Sequence, residues 1–277
     1  KDSSSPILKA NQEVRNVEVI KNEEGIIPDE EIVQVYSKLS KIIKRNRLEI
    51  TTSLSQIHRR NSIDLNCTRH MSIFEQFNVI PEYCFSCYKV QVEPRSVLEL
   101  IKLMIVFDEI KLDKNNIRKC MIEMRPEIDG FYKGIIFCSN VEEAYQISEY
   151  IDLVVEKNIR PGLYSNVKRG CSEYALSFPD YKKANRNGHE LMSYNEDWRH
   201  IEETYDLENI RQTVSMNTPT SSGFNLGDVL IIRNWIDYAI GIGDSSAQLL
   251  NQNEVVSQRG YKIAKTRLET YHWREVG

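Results

Sequence analysis

Residues 84–107 read CFSCYKVQVEPRSVLELIKLMIVF, and residues 117–138 read IRKCMIEMRPEIDGFYKGIIFC. The start of the first run alternates apolar and polar side chains until Pro94 removes a backbone donor, which predicts a strand over 85–93. Ser96-Val97-Leu98-Glu99 then has the capping-box pattern that satisfies the first free amides of a helix. That helix, to about residue 107, is apolar nearly all round, so it is expected to be deeply buried. Asn115-Asn116 marks a turn before a second strand over 117–124. Asp129-Gly130 is a strong hairpin signal and leads into a third strand over 131–138. Ser139-Asn140-Val141-Glu142 opens a second helix to about residue 157, Pro161-Gly162 breaks the chain, and a last strand is expected over 167–178. The order βαββαβ predicts an α+β protein. Its central unit, 84–178, would be ferredoxin-like: antiparallel strands with both helices on one face.

The flanks are helical or irregular. Residues 1–27 are polar and aperiodic, a linker or arm suited to a protein partner. Residues 28–83 form an N-terminal helical segment. A first helix opens at Pro28-Asp29-Glu30-Glu31 and carries Ile32, Val35, Tyr36, Leu39, Ile42 and Ile43 at helical spacing. A weaker helix over 50–60 and a connector over 61–83 follow. Basic residues dominate 38–69, which suits a solvated helix face or a phosphate contact. Residues 179–277 read as a helical C-terminal region, with helices near 193–206, 226–240, 245–250 and 255–271. These are expected to cover the open face of the sheet.

The totals narrow the classes. At 277 residues, 41% hydrophobic and 27% charged, the chain can bury a core without covalent staples. A net charge of −4 argues against a general duplex-binding protein. No apolar run approaches the roughly 18–20 residues that span a bilayer, and the first residues lack the apolar stretch of a signal peptide. Six cysteines in a chain of this length read as reduced thiols, which points to a cytoplasmic location.

Strand alternation places Lys89, Glu93, Lys119, Glu123, Arg125, Lys133, Arg169 and Glu173 on the sheet face away from the helices. Paired carboxylates and cations in a cleft are what acid–base and phosphate chemistry use. Glu123 and Glu173 are therefore the candidate catalytic groups. Lys89, Arg125, Lys133 and Arg169 are the candidate ligands for an anionic, phosphate-bearing or nucleotide-like substrate of a transferase or hydrolase. Cys84, Cys87, Cys120 and Cys138 are expected at one end of the sheet, with Cys171 nearer the other. Cys84-Phe-Ser-Cys87 has the spacing of a metal knuckle, so zinc or an iron–sulfur cluster is the expected cofactor there. Two other readings stand beside the enzyme. Lys133-Gly134-Ile135-Ile136-Phe137 is similar to the basic-Gly-aromatic pattern of RNA-recognition modules, with Ile where a second aromatic is usual. That likeness implies RNA or single-stranded nucleic-acid binding. The face could also dock a partner, as in a scaffold or subunit. Phosphate-loop, dinucleotide-loop, zinc-protease and serine-elbow motifs are absent.

Overall fold

The computed structural model describes residues 5–60, 65–187, 191–209, 222–250 and 258–276. Its sheet has five antiparallel strands: β1 (Gln56–Arg59), β2 (Tyr88–Val92), β3 (Arg118–Ile122), β4 (Tyr132–Cys138) and β5 (Ser165–Arg169), in the order β1-β3-β4-β2-β5. Helices α4 (Val97–Glu109) and α5 (Val141–Asn158) make the two crossovers and lie on one face. The mixed helix and strand content is the expected α+β class. Ser96 accepts from the Glu99 amide at 3.1 Å and so caps α4. The second cap sits one residue later than the sequence pattern suggested: Asn140 accepts from the Glu143 amide at 2.8 Å.

Alternation along β2 and β4 decides what each face carries. Val90, Val92, Gly134 and Ile136 point at α4 and α5. Gly134 must lack a side chain, because a Cβ there would run into Leu103 and Phe107 of α4. Almost every α4 side chain is buried, including Lys102, which pairs with Asp29. Arg118, at 1% exposure, donates to the carbonyls of Phe107 and Ile110 at 2.6 and 2.7 Å. It thereby satisfies carbonyls that the end of α4 leaves free.

Several expectations are corrected. Residues 50–60 hold a strand, not a helix. Ile57 pairs with Cys120 across the sheet edge, and sheet pairing overrides a weak helical pattern. The expected arm contains α1 (Pro6–Arg15), which buries Ala10 and Val14 and packs against α2 (Asp29–Arg45). The connector contains α3 (Cys67–Phe77). The last strand ends at Arg169 rather than at 178. Gly170 takes a φ of +54° and its amide donates to the Cys87 carbonyl at 2.7 Å, which turns the chain out of the ladder into α6 (Tyr174–Ser177). A side chain on Gly170 would collide with the Tyr181 hydroxyl.

The C-terminal helices also lie elsewhere than expected. After α7 (Arg199–Glu208), α8 (Leu226–Gly241) packs on α4, α1, β1 and β3, with α9 (Ser246–Leu250) and α10 (Gln258–Val276) beside it. The contact is made on the helical side of the sheet: Tyr238 meets Tyr132 edge-on, and Tyr132 donates to Asp244 at 2.7 Å. The physical reason is that α8 is apolar on most sides, burying Val229, Ile232, Trp235, Ile236 and Ala239. Such a helix needs several apolar neighbours, and the polar sheet face offers few. Arg59 locks β1 to this layer through a two-pronged bond to Asp228, at 2.6 and 3.2 Å. Asp108 stands 3.4 Å from the same guanidinium.

A second, smaller core of Ile80, Cys84, Tyr174 and Tyr181 closes the end of the sheet where β2 begins and β5 ends. Among the described residues, no helix is long and apolar enough to cross a membrane.

Candidate functional site

Lys89 lies directly opposite Phe137 on β4 and Lys168 on β5, so the three side chains share the face away from α4 and α5. Lys119, opposite Ile135, completes the row. The Phe137 ring sits 5.2 Å from the Lys89 ammonium and 5.7 Å from that of Lys119. Lys89 is 6% exposed, and its ammonium is 3.3 Å from the Cys171 sulfur. Lys119 donates to Gln56 at 3.2 Å and Lys168 to Ser172 at 3.0 Å. Among the described residues, none of these three lysines forms an ion pair with a carboxylate. Gln91 lies on the same face, and its buried Oε1 has no donor among the described residues.

The electrostatics follow from this crowding. Burial, followed by the charges of Lys89 and Lys133, brings the Lys168 pKa down to about 7. Burial and then Lys89 bring Lys119 down to about 8. Burial also opposes the Lys89 cation, but the Cys171 and Cys87 thiols outweigh it and hold Lys89 above its ordinary value. Burial works against a Cys171 thiolate as well. Lys89 outweighs it, helped by Lys119 and Lys168, and lowers the Cys171 pKa.

A second group sits further along the same face. Glu123 is buried and accepts from Lys133 at 2.9 Å and from Arg125 at 2.7 Å through each oxygen. Arg125 also pairs with Glu173. Burial opposes ionisation of Glu123, but Arg125 and Lys133 outweigh it and bring its pKa down to about 2. A carboxylate so fully paired is a poor proton donor or acceptor at neutral pH. The geometry makes Glu123 a counter-ion, and Lys133 and Arg125 are its partners rather than free ligands for an anion.

Arg169 is not on this face. It lies opposite Tyr88, stacks over Phe85 at 4.8 Å and donates to the carbonyls of Phe85 and Met192 at 3.0 and 2.7 Å. It holds the small aromatic core together. The misplacement is a one-residue frame error, which sends every side chain of a strand to the opposite face. Anchoring β5 on Val167, the partner of Val90, would have put Lys168 outward and Arg169 inward. Lys168 and Cys171 are the site residues the pattern missed. Gly170-Cys171, a turn glycine ahead of a thiol, was the available signal.

The cysteines regroup in the same way. Cys120 pairs with Gly134 and Cys138 with Tyr88, so both point at the helical layer. Burial raises the pKa of Cys138 to about 12 and also raises that of Cys120. Cys84 and Cys87 instead line a cavity of about 20 Å³ with Cys67, His70, Lys89 and Cys171, room for about one water. The Cys84 sulfur is 3.4 Å from the Tyr174 hydroxyl. Cys171 belongs to this end because β5 runs antiparallel to β2 and finishes beside its start. Among the described residues, no group of three or more His, Cys, Asp or Glu side chains is arranged to hold a metal ion, so the expected four-cysteine zinc or iron–sulfur set does not assemble. No protein-family model, curated protein or solved structure matches this chain, and the lysine–thiol face is read from its own geometry.

Proposed function

We propose that this chain is an enzyme that binds a small anionic molecule, bearing phosphate or carboxylate, against Lys89, Lys119 and Lys168. The observation that carries the reading is the convergence of three ammonium groups on one sheet face without a carboxylate partner among the described residues. Crowded, poorly hydrated cations repel one another, and an incoming anion relieves that repulsion. Gln91 Oε1, a buried acceptor without a donor among the described residues, suits a ligand hydroxyl. Lys168 and Lys119, with pKa values of about 7 and about 8, suit proton transfer near neutrality better than Glu123 does. We also infer a ferredoxin-like βαββαβ unit with β1 added at one edge. The order β5-β2-β4-β3 supports it, since β4 splits β2 from β3 and β2 splits β4 from β5.

The test is equilibrium dialysis with labelled inorganic phosphate and pyrophosphate at low ionic strength, on the wild type and a Lys119→Gln/Lys168→Gln variant. Saturable binding, weakened at least about tenfold in the variant, is expected. A wild type that binds neither anion saturably overturns the reading. One observation favours a second reading, single-stranded nucleic acid: half-buried Phe137 lies between two ammonium groups, a combination that stacks and neutralises nucleotides. Oligonucleotide affinity that falls steeply with salt and is lost in Phe137→Ala would select it over the small anion.

A further inference from the structure

We infer that Cys171 is the covalent nucleophile of this site and that its substrate is an anionic acyl compound, an ester or acyl phosphate whose charged group rests on the lysines. The inference deepens the proposed anion-binding reading and depends on it. Four features single out Cys171 among the six thiols. It lies 3.3 Å from the Lys89 ammonium, which has no carboxylate partner among the described residues. Like Cys87, but unlike the buried Cys84, Cys120 and Cys138, it is half-buried, and it lines a cavity. The left-handed turn at Gly170, wedged by Tyr181, holds it in place at the end of β5. The neighbouring lysines favour its thiolate, whereas burial raises Cys87 to about 11 and Cys138 to about 12. A thiolate beside cations, in a partly open position, is the environment of reactive cysteines.

The step balances as follows. The Cys171 sulfur gives an electron pair to the acyl carbon, so a C–S bond forms. The bond from that carbon to the leaving oxygen breaks, and Lys168 supplies that oxygen with a proton. Water then adds to the thioester carbon and the C–S bond breaks, which restores the thiolate. One proton of that water returns to Lys168, and the other passes to solvent as the product acid ionises.

The experiment compares alkylation of Cys171 by neutral iodoacetamide and anionic iodoacetate, read by peptide mass spectrometry, with N-acetylcysteine as reference. In the wild type, Cys171 should react with iodoacetamide at pH 7 at least about tenfold faster than the reference. Lys89→Gln should remove the advantage and Lys89→Arg should keep most of it, which separates loss of charge from loss of fold. Iodoacetate should be favoured over iodoacetamide, relative to the reference thiol, and Lys119→Gln/Lys168→Gln should abolish that preference. A Cys171 no faster than the reference sinks the nucleophile, even if phosphate dialysis succeeds. A fast Cys171 with no preference for iodoacetate overturns the anionic substrate and, with it, the lysine cradle.

Discussion

Replacing Glu123 with Gln strips away the charge that Lys133 and Arg125 face. Lys133 is 3% exposed and its ammonium is 2.9 Å from Glu123. The fall of the Glu123 pKa from an ordinary 4.5 to about 2 corresponds to roughly 3 kcal/mol. Removing one member of a buried pair costs about 3–5 kcal/mol by analogy with other proteins. Arg125 is 37% exposed along its side chain, so solvent screens its share. A loss of about 2–3 kcal/mol at pH 7 is therefore expected. A carboxylate whose pKa is depressed on folding adds stability that is complete above its unfolded value and is lost as pH falls through the folded one. The gap between wild type and Glu123→Gln should thus hold from pH 7 down to about 5 and close towards about pH 2. Urea unfolding, followed by circular dichroism across that range, measures it. A gap below about 0.5 kcal/mol at pH 7, or one that does not change with pH, would refute the assignment of Glu123 as a buried counter-ion.

Phosphate binding should take up protons near pH 8, because an anion recharges Lys168 and Lys119, whose pKa values lie at about 7 and about 8. Titration calorimetry in two buffers of different ionisation enthalpy reads this, and affinity should weaken as pH rises from 7 to 9. Gly170→Ala should cost at least about 1–3 kcal/mol, since it strains a φ of +54° and drives a methyl into Tyr181. Its melting temperature checks this, and an unchanged value would mean that the turn is not required. Asp228→Asn should destabilise by about 3–5 kcal/mol, because Asp108 would be the one carboxylate left near the buried Arg59 charge among the described residues. Denaturant midpoints report the loss, and a change under about 1 kcal/mol would show that solvent reaches the pair.

Some of this was legible from local pattern. The Ser96 cap and the apolar α4 run each act over a few neighbours, so they read directly from the chain, whereas the second cap sits at Asn140 and the hairpin turns at 125–128, ahead of Asp129-Gly130. The charged face was legible too, because alternation along 89–93 and 119–123 needs no tertiary contact. Lys168 and Cys171 were not. Their placement depends on which β5 residues face the helices and on where the strand stops, and those are set by the pairing of Val167 with Val90 and by the turn at Gly170 packed against Tyr181. The role of Glu123 was hidden for a related reason. Acid, base and counter-ion carry the same carboxyl group, and only the distances to Arg125 and Lys133 tell them apart.

By itself, then, the order of residues determined the alternating βαββαβ elements and one polar sheet face, because period and capping are properties of short segments. Only the folded chain decided that α8 joins the helical side, that β1 extends the sheet, and that Lys89 meets the Cys171 thiol on a face shared with Lys119 and Lys168. Those outcomes depend on contacts between residues far apart in sequence, where burial and neighbouring charge, not residue type, set the chemistry.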